Sequence, residues 1–197
     1  LVGLSYFSLD VVLAQDGSMV SSQESDSLID SGTLADNKWV SAVGDTLYLA
    51  QADEQGSVNG LLQMQLDGNN GAKAKGVIPF SQDSYSSAYF SVLEDGTVYA
   101  ADADGFFHCD AGDTNWQKLL EGIDTSFSMS DQWCRDIVAL SDGSVYAWFG
   151  SESGDKIMIY RYDPDAVTEV TEELTLYTVE ESFFLQQAAV QYHKQHP

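Results

Sequence analysis

Tyr89–Asp102, YFSVLEDGTVYAAD, and Asp136–Phe149, DIVALSDGSVYAWF, are two copies of one pattern: a short apolar strand, a tight turn and a second strand. The same pattern stands at Val11–Ser22 (VVLAQDGSMVSS) and at Trp39–Gln51 (WVSAVGDTLYLAQ). Asp16-Gly17, Asp95-Gly96 and Asp142-Gly143 read as two-residue hairpin loops, where both central residues need positive φ and glycine supplies it without steric cost. The Trp39 copy has Gly44-Asp45 instead. Aligned on Ser18, Thr46, Thr97 and Ser144, the copies lie 28, 51 and 47 residues apart. The last two intervals match one four-stranded blade of a β-propeller, about 40–50 residues. The first is too short for a full blade, so residues 1–37 read as a partial one.

The segment after each hairpin repeats as well. A third strand is expected at Leu61–Leu66, Phe106–Cys109 and Ile157–Tyr162, and a fourth, more polar outer strand at Gly76–Phe80 and Trp116–Leu120. The fold class is therefore all-β, with about three to four propeller-like blades and a short C-terminal strand-helix tail. A sandwich built of hairpins is the alternative that regular turn spacing also allows. Three or four blades do not comfortably close a ring whose usual size is about 4–8. The repeat is then part of a larger propeller, or an unusually small or open one.

Composition narrows the function. The 197 residues carry 31 Asp+Glu against 8 Lys+Arg, a net charge of −23. That excess repels phosphate backbones and anionic headgroups, which excludes nucleic-acid binding and polybasic membrane attachment. With 44% hydrophobic residues, among them 10 Tyr, 9 Phe and 4 Trp, the chain can bury a real core and is not a disordered one. No apolar run approaches the ~18 residues of a membrane-spanning helix. The chain opens at Leu1 and not at Met, which predicts a processed product. Cys109 and Cys134 form no C-x-x-C and are expected as buried free thiols, with a disulfide between them as the alternative.

Catalytic signatures are absent. No H-E-x-x-H, P-loop or dinucleotide fingerprint occurs, and Gly150–Gly154 has Glu152 where a G-x-S-x-G nucleophile would stand. Asp102-Ala-Asp104-Gly105 lacks the twelve-residue calcium-loop pattern and reads as a turn. The expectation is a protein with no catalytic residues, no metal and no cofactor. Aromatic residues are the more informative group, because sugar rings lie on Trp or Tyr faces while nearby polar groups bond their hydroxyls. In a propeller the loops on one face gather Trp39, Tyr85, Tyr89, Trp133 and Arg135 near a rim, with Asp102, Asp104, Glu152 and Asp155 beside them. Trp133 and Arg135 are the leading candidates for a ligand contact. Trp39 and Trp148 lie in expected strands, where packing between blades is the competing role.

From Asp163 the sequence changes character. Residues 1–163 form the repeat domain, 164–173 an acidic linker, and 174–197 a strand followed by a helix with Leu185, Ala189 and Tyr192 on one apolar face. Glu180 and Glu181 suit its N-terminal end, Lys194 its C-terminal end, and Pro197 stops it. LTLYTVEESFFLQQAAVQYHKQHP, residues 174–197, resembles the first strand and helix of extracellular solute-binding proteins of sugar ABC importers, whose first helix ends near Lys-x-x-Pro, here Lys194 to Pro197. Some Gram-positive surface proteins carry a propeller-like region ahead of such a module. The resemblance implies a surface lipoprotein, extracellular and anchored through a part absent from this chain, that contributes to carbohydrate binding and uptake. It also implies an ABC permease as a partner through the remainder of that module.

The expected function is thus a non-catalytic extracellular recognition module for a carbohydrate or a cell-surface protein. The alternative is a structural or protein-docking scaffold whose open blade edges associate with a second copy or with the rest of a parent protein. A propeller hydrolase or lyase is a third class.

Overall fold

Apolar residues that alternate with a period of two leave a strand buried on one side. Where both parities are apolar, as in Thr46–Ala52, it is buried on both. A computed structural model of the chain describes residues 2–4, 8–12, 19–24, 33–34, 39–53, 57–66, 72–80, 88–127 and 131–161, together with 185, 188, 189, 191 and 192. Before residue 39 it describes the backbone alone.

The described fold is all-β, and every strand pairing in it is antiparallel. The first sheet is β1 (Val2–Leu4), β2 (Ser8–Val12) and β3 (Met19–Glu24), in that order. The second holds β4 (Thr33–Leu34), β5 (Val40–Val43), β6 (Thr46–Ala52), β7 (Val58–Leu66) and β8 (Ala72–Pro79). Here β4 and β5 pair with different stretches of β6, Gln51–Ala52 and Thr46–Leu49, so together they make one interrupted first strand. The third sheet runs β9 (Tyr89–Val92), β10 (Val98–Asp102), β11 (Gly105–Cys109) and β12 (Gln117–Glu121). A 3-10 turn at Gly122–Asp124 follows it. The fourth is β13 (Gln132–Ala139), β14 (Val145–Ser151) and β15 (Lys156–Tyr160).

Each expected third strand is present, as β7, β11 and β15, and the outer strands at 76–80 and 116–120 correspond to β8 and β12. The strand expected after the linker lies outside the described residues. Of the expected helix only residues 185, 188, 189, 191 and 192 are described; their backbone is helical, and they establish no continuous element.

The hairpin loops differ from the two-residue expectation in an informative way. Between β9 and β10 the Leu93 N–H donates to the Thr97 carbonyl at 2.9 Å, and the Gly96 N–H to the Leu93 carbonyl at 3.0 Å. The loop is therefore three residues, with Gly96 at φ +93°. Leu140, Gly143 and Ser144 repeat this at 2.8 and 3.0 Å, with Gly143 at φ +81°. The extra residue is held because the Asp carboxylate accepts the following N–H: Asp95 from Thr97 and Asp142 from Ser144, each at 2.9 Å. The Gly44-Asp45 copy, which lacks that arrangement, is the two-residue loop, with Gly44 at φ +56°.

The sheets pack face to face. Tyr48, Ala50, Leu61 and Ile78 of the second sheet bury against Phe90, Val98, Ala100 and Cys109 of the third. The opposite face of the third, Tyr99, Ala101 and Phe106, buries against Cys134, Ile137, Ala139, Val145, Ala147 and Phe149 of the fourth. Aromatic rings fill this second interface: Phe106 stacks on Tyr160 at 6.0 Å and on Phe127 at 6.5 Å. The leading strands of successive sheets run beside one another, β5 by β9 and β9 by β13. The Ala139 N–H donates to the Ser91 hydroxyl at 2.8 Å across the latter pair. On its far face the second sheet buries Leu47, Leu49, Leu62 and Met64.

Candidate binding face

Strand alternation on β13–β15 assigns each residue to one of two faces. Ile137, Ala139, Val145, Ala147 and Phe149 turn toward the third sheet and are buried. The partners on the other parity are Val138 opposite Tyr146, Tyr146 opposite Ile159, and Trp148 opposite Ile157. This second face is open: Val138 is 52% exposed, Trp148 44%, Ile157 67% and Ile159 50%. Isolated exposed apolar residues are ordinary, whereas a contiguous set on one sheet face marks a contact surface.

At the end of the face away from the Asp142-Gly143 turn, Trp133 pairs across the strands with Gly150. A Cβ on Gly150 would stand 2.6 Å from Trp133 Nε1 and 2.8 Å from Arg135 Nε, so only glycine lets both side chains lie on the backbone there. The register shift between Cys134 and Asp136 turns Arg135 onto the same surface. Its guanidinium carbon lies 5.8 Å from the Trp133 ring centroid and 5.3 Å from that of Trp148, within the reach of a cation–π contact. Arg135 Nη2 also stands 3.6 Å from Asp155 Oδ1. Both partners of this pair are close to half exposed, which limits it to about 0–1 kcal/mol.

The sequence candidates separate here. Trp133 and Arg135 come together, with Asp155 beside them, and Trp148 joins them from β14. Trp39 instead packs on the second and third sheets, its ring 5.5 Å from Phe90. Tyr89 is half-buried against the interface of the third and fourth sheets. Tyr85 lies outside the described residues. Asp102 is buried and its Oδ1 accepts the N–H groups of Asp104 and Gly105, at 2.9 and 3.1 Å, which closes the β10–β11 turn. The signal for Trp148 is in the repeat itself, since it occupies the place that Ala101 holds in the preceding copy.

No thiol nucleophile is presented. Cys109 and Cys134 are free and buried. Burial pushes the Cys134 thiol up to about 12, so it stays protonated and unreactive at neutral pH. Among the described residues no group of three His, Cys, Asp or Glu side chains is placed to hold a metal ion. No family model matches the chain, and no curated protein matches it.

Proposed function

We propose that this chain is a non-catalytic docking module of propeller type, its sheets acting as successive blades and the open face of β13–β15 as its contact surface. One observation carries the reading. The residues that face forward from the third sheet, Tyr99 and Ala101, are covered by the fourth, while their counterparts in the fourth, Tyr146 and Trp148, lie on a face that no described sheet covers. A large aromatic ring where the previous copy has alanine adds apolar area for a partner to cover. The surface-lipoprotein setting, with a role beside a solute-binding module of a sugar importer, is part of this proposal and rests on the resemblance of residues 174–197.

The test is binding of an environment-sensitive apolar dye to the folded chain at a concentration where it is monomeric. Dye binding that disappears in Val138→Glu/Ile159→Glu, with an unchanged melting temperature, supports the reading. A folded chain that binds no dye overturns it.

A second reading, carbohydrate recognition, is favoured by the Trp133–Arg135–Trp148 group, which offers ring faces beside a guanidinium and the Asp155 carboxylate. A glycan that raises the melting temperature of the native chain but not of Trp133→Ala selects this reading over docking, since ligand binding stabilises the folded state by mass action.

A further inference from the structure

We propose that the open face of β13–β15 docks a basic polypeptide, one cationic side chain of which seats on Asp136 beside the Trp148 ring while its apolar side chains cover Val138, Ile157 and Ile159. The inference rests on the docking reading and names the chemistry of the partner. Asp136 pairs with Trp148 across β13 and β14, and Trp148 with Ile157, so the carboxylate stands in a row of the open apolar face. The next row is Val138, Tyr146 and Ile159. Solvent reaches Asp136, whose Oδ1 accepts the Ile137 N–H at 2.9 Å. Among the described residues no Lys, Arg or His forms an ion pair with it. Arg135, its neighbour in the chain, lies against Trp133 and Trp148 and stands 3.6 Å from Asp155 instead. Partial burial holds the Asp136 carboxyl above the ordinary range, a cost of charge that no described cation offsets.

The chain's own sheets show what a partner without a cation would do. At the place of Asp136 the third sheet has Tyr89, which is half-buried where the fourth sheet covers it. The side that the fourth sheet presents there, Ile137, Ala139, Val145, Ala147 and Phe149, is apolar. A surface of that kind laid on the open face would bury the Asp136 charge with no counter-ion, which is strongly unfavourable. A lysine or arginine removes the penalty, through a charge-assisted hydrogen bond to the carboxylate and a cation–π contact with the ring opposite. Trp148 already receives Arg135 in this manner, the guanidinium carbon 5.3 Å from its ring centroid. The net charge of −23 favours the same partner, since it draws a basic chain toward the protein and repels an acidic one. A bare polycation does not suffice, because Ile157 and Ile159, 67% and 50% exposed, gain only from apolar cover.

The test is fluorescence anisotropy of labelled octapeptides titrated with the full chain at about 150 mM salt, the probes being alternating Lys-Val, alternating Glu-Val and all-Lys. The Lys-Val peptide should bind most tightly. Asp136→Asn, which keeps an oxygen for the Ile137 N–H, should weaken it about tenfold with an unchanged near-UV circular dichroism spectrum and leave all-Lys binding as it was. Lys-Val binding that is no tighter than all-Lys, or that is indifferent to Asp136→Asn, means that overall charge alone attracts the peptide and overturns the seat on Asp136. Glu-Val binding as tight as Lys-Val overturns the basic partner, and a chain that binds no Lys-Val peptide overturns the inference as a whole. In each of these cases a chain that still binds the apolar dye keeps the docking reading, and one that binds no dye loses both.

Discussion

The Tyr99 hydroxyl reaches the Gly143 turn of the following sheet, as the Tyr48 hydroxyl reaches the Gly96 turn. Each glycine holds the positive φ that ends a three-residue loop, while a Cβ there would make only ordinary van der Waals contact with the hydroxyl of the neighbouring sheet. Alanine at either position must adopt a left-handed backbone that costs roughly 1–2 kcal/mol. Gly96→Ala and Gly143→Ala should each lower unfolding stability by about that amount in denaturant titration. Asparagine, which tolerates this region, should cost less than alanine. Equal stability of the alanine variants and the native chain would contradict the turn geometry.

Phe149 and Trp148 are adjacent in sequence and opposite in consequence. Phe149 is fully buried, its ring 5.0 Å from that of Phe127, whereas Trp148 lies on the open face. Truncation of a buried phenylalanine to alanine costs roughly 3–5 kcal/mol, and a surface change roughly 0.5 kcal/mol or less. Phe149→Ala should therefore unfold in markedly less denaturant, while Trp148→Ala, at monomer concentrations, should unfold with the native chain. Comparable losses for both would mean that something covers Trp148.

The Asp95 and Asp142 carboxyls lie below the ordinary carboxylate range, Asp95 chiefly through the Thr97 N–H and Asp142 chiefly through the Ser144 hydroxyl. A folded-state value below the unfolded one gives stability that is complete above the ordinary ~3.9 and is lost as pH falls through the depressed values. Asp136 has the opposite sign, because burial raises it and protonation relieves the cost of its charge. In thermal melts from about pH 5 to 2, Asp95→Asn/Asp142→Asn should lose less of its melting temperature than the native chain. An identical pH profile would count against those turn hydrogen bonds.

Much of this architecture is legible in the sequence, and the parts that are not have physical reasons. The repeated L-x-D-G-[ST]-V-Y-A phrase locates β9–β10 and β13–β14, because turn chemistry and period-two burial both act locally. The third loop residue depends on the Asp carboxylate capturing an N–H two positions on, which the dipeptide alone does not reveal. Likewise β4 pairs with β6 across an interruption that carries no apolar pattern of its own. At the candidate face, the chain position of Trp133 and Arg135 already places them together, and the structure keeps them so. Trp148 reads as a packing residue in the sequence, because strand alternation specifies which side a residue faces and not whether another sheet stands there.

Gly150 provides a local test of the aromatic group. With Trp133 Nε1 and Arg135 Nε at 2.6 and 2.8 Å from a Cβ on it, Gly150→Ala must displace one or both side chains. The expected outcome is a shifted tryptophan emission spectrum, with stability lowered by roughly 1–3 kcal/mol as for other overpacked sites. An unchanged spectrum would show that the rings do not rest on that backbone.

Residue-resolved hydroxyl-radical footprinting of the full chain, at low and at high protein concentration, tests most directly whether the fourth sheet ends in an unused contact face. Fast oxidation of Trp148 and Ile159 at low concentration, with slow oxidation of Phe149 throughout, is the predicted pattern. Protection of Trp148 and Ile159 at low concentration would contradict the account, because the face would then be covered within a single chain.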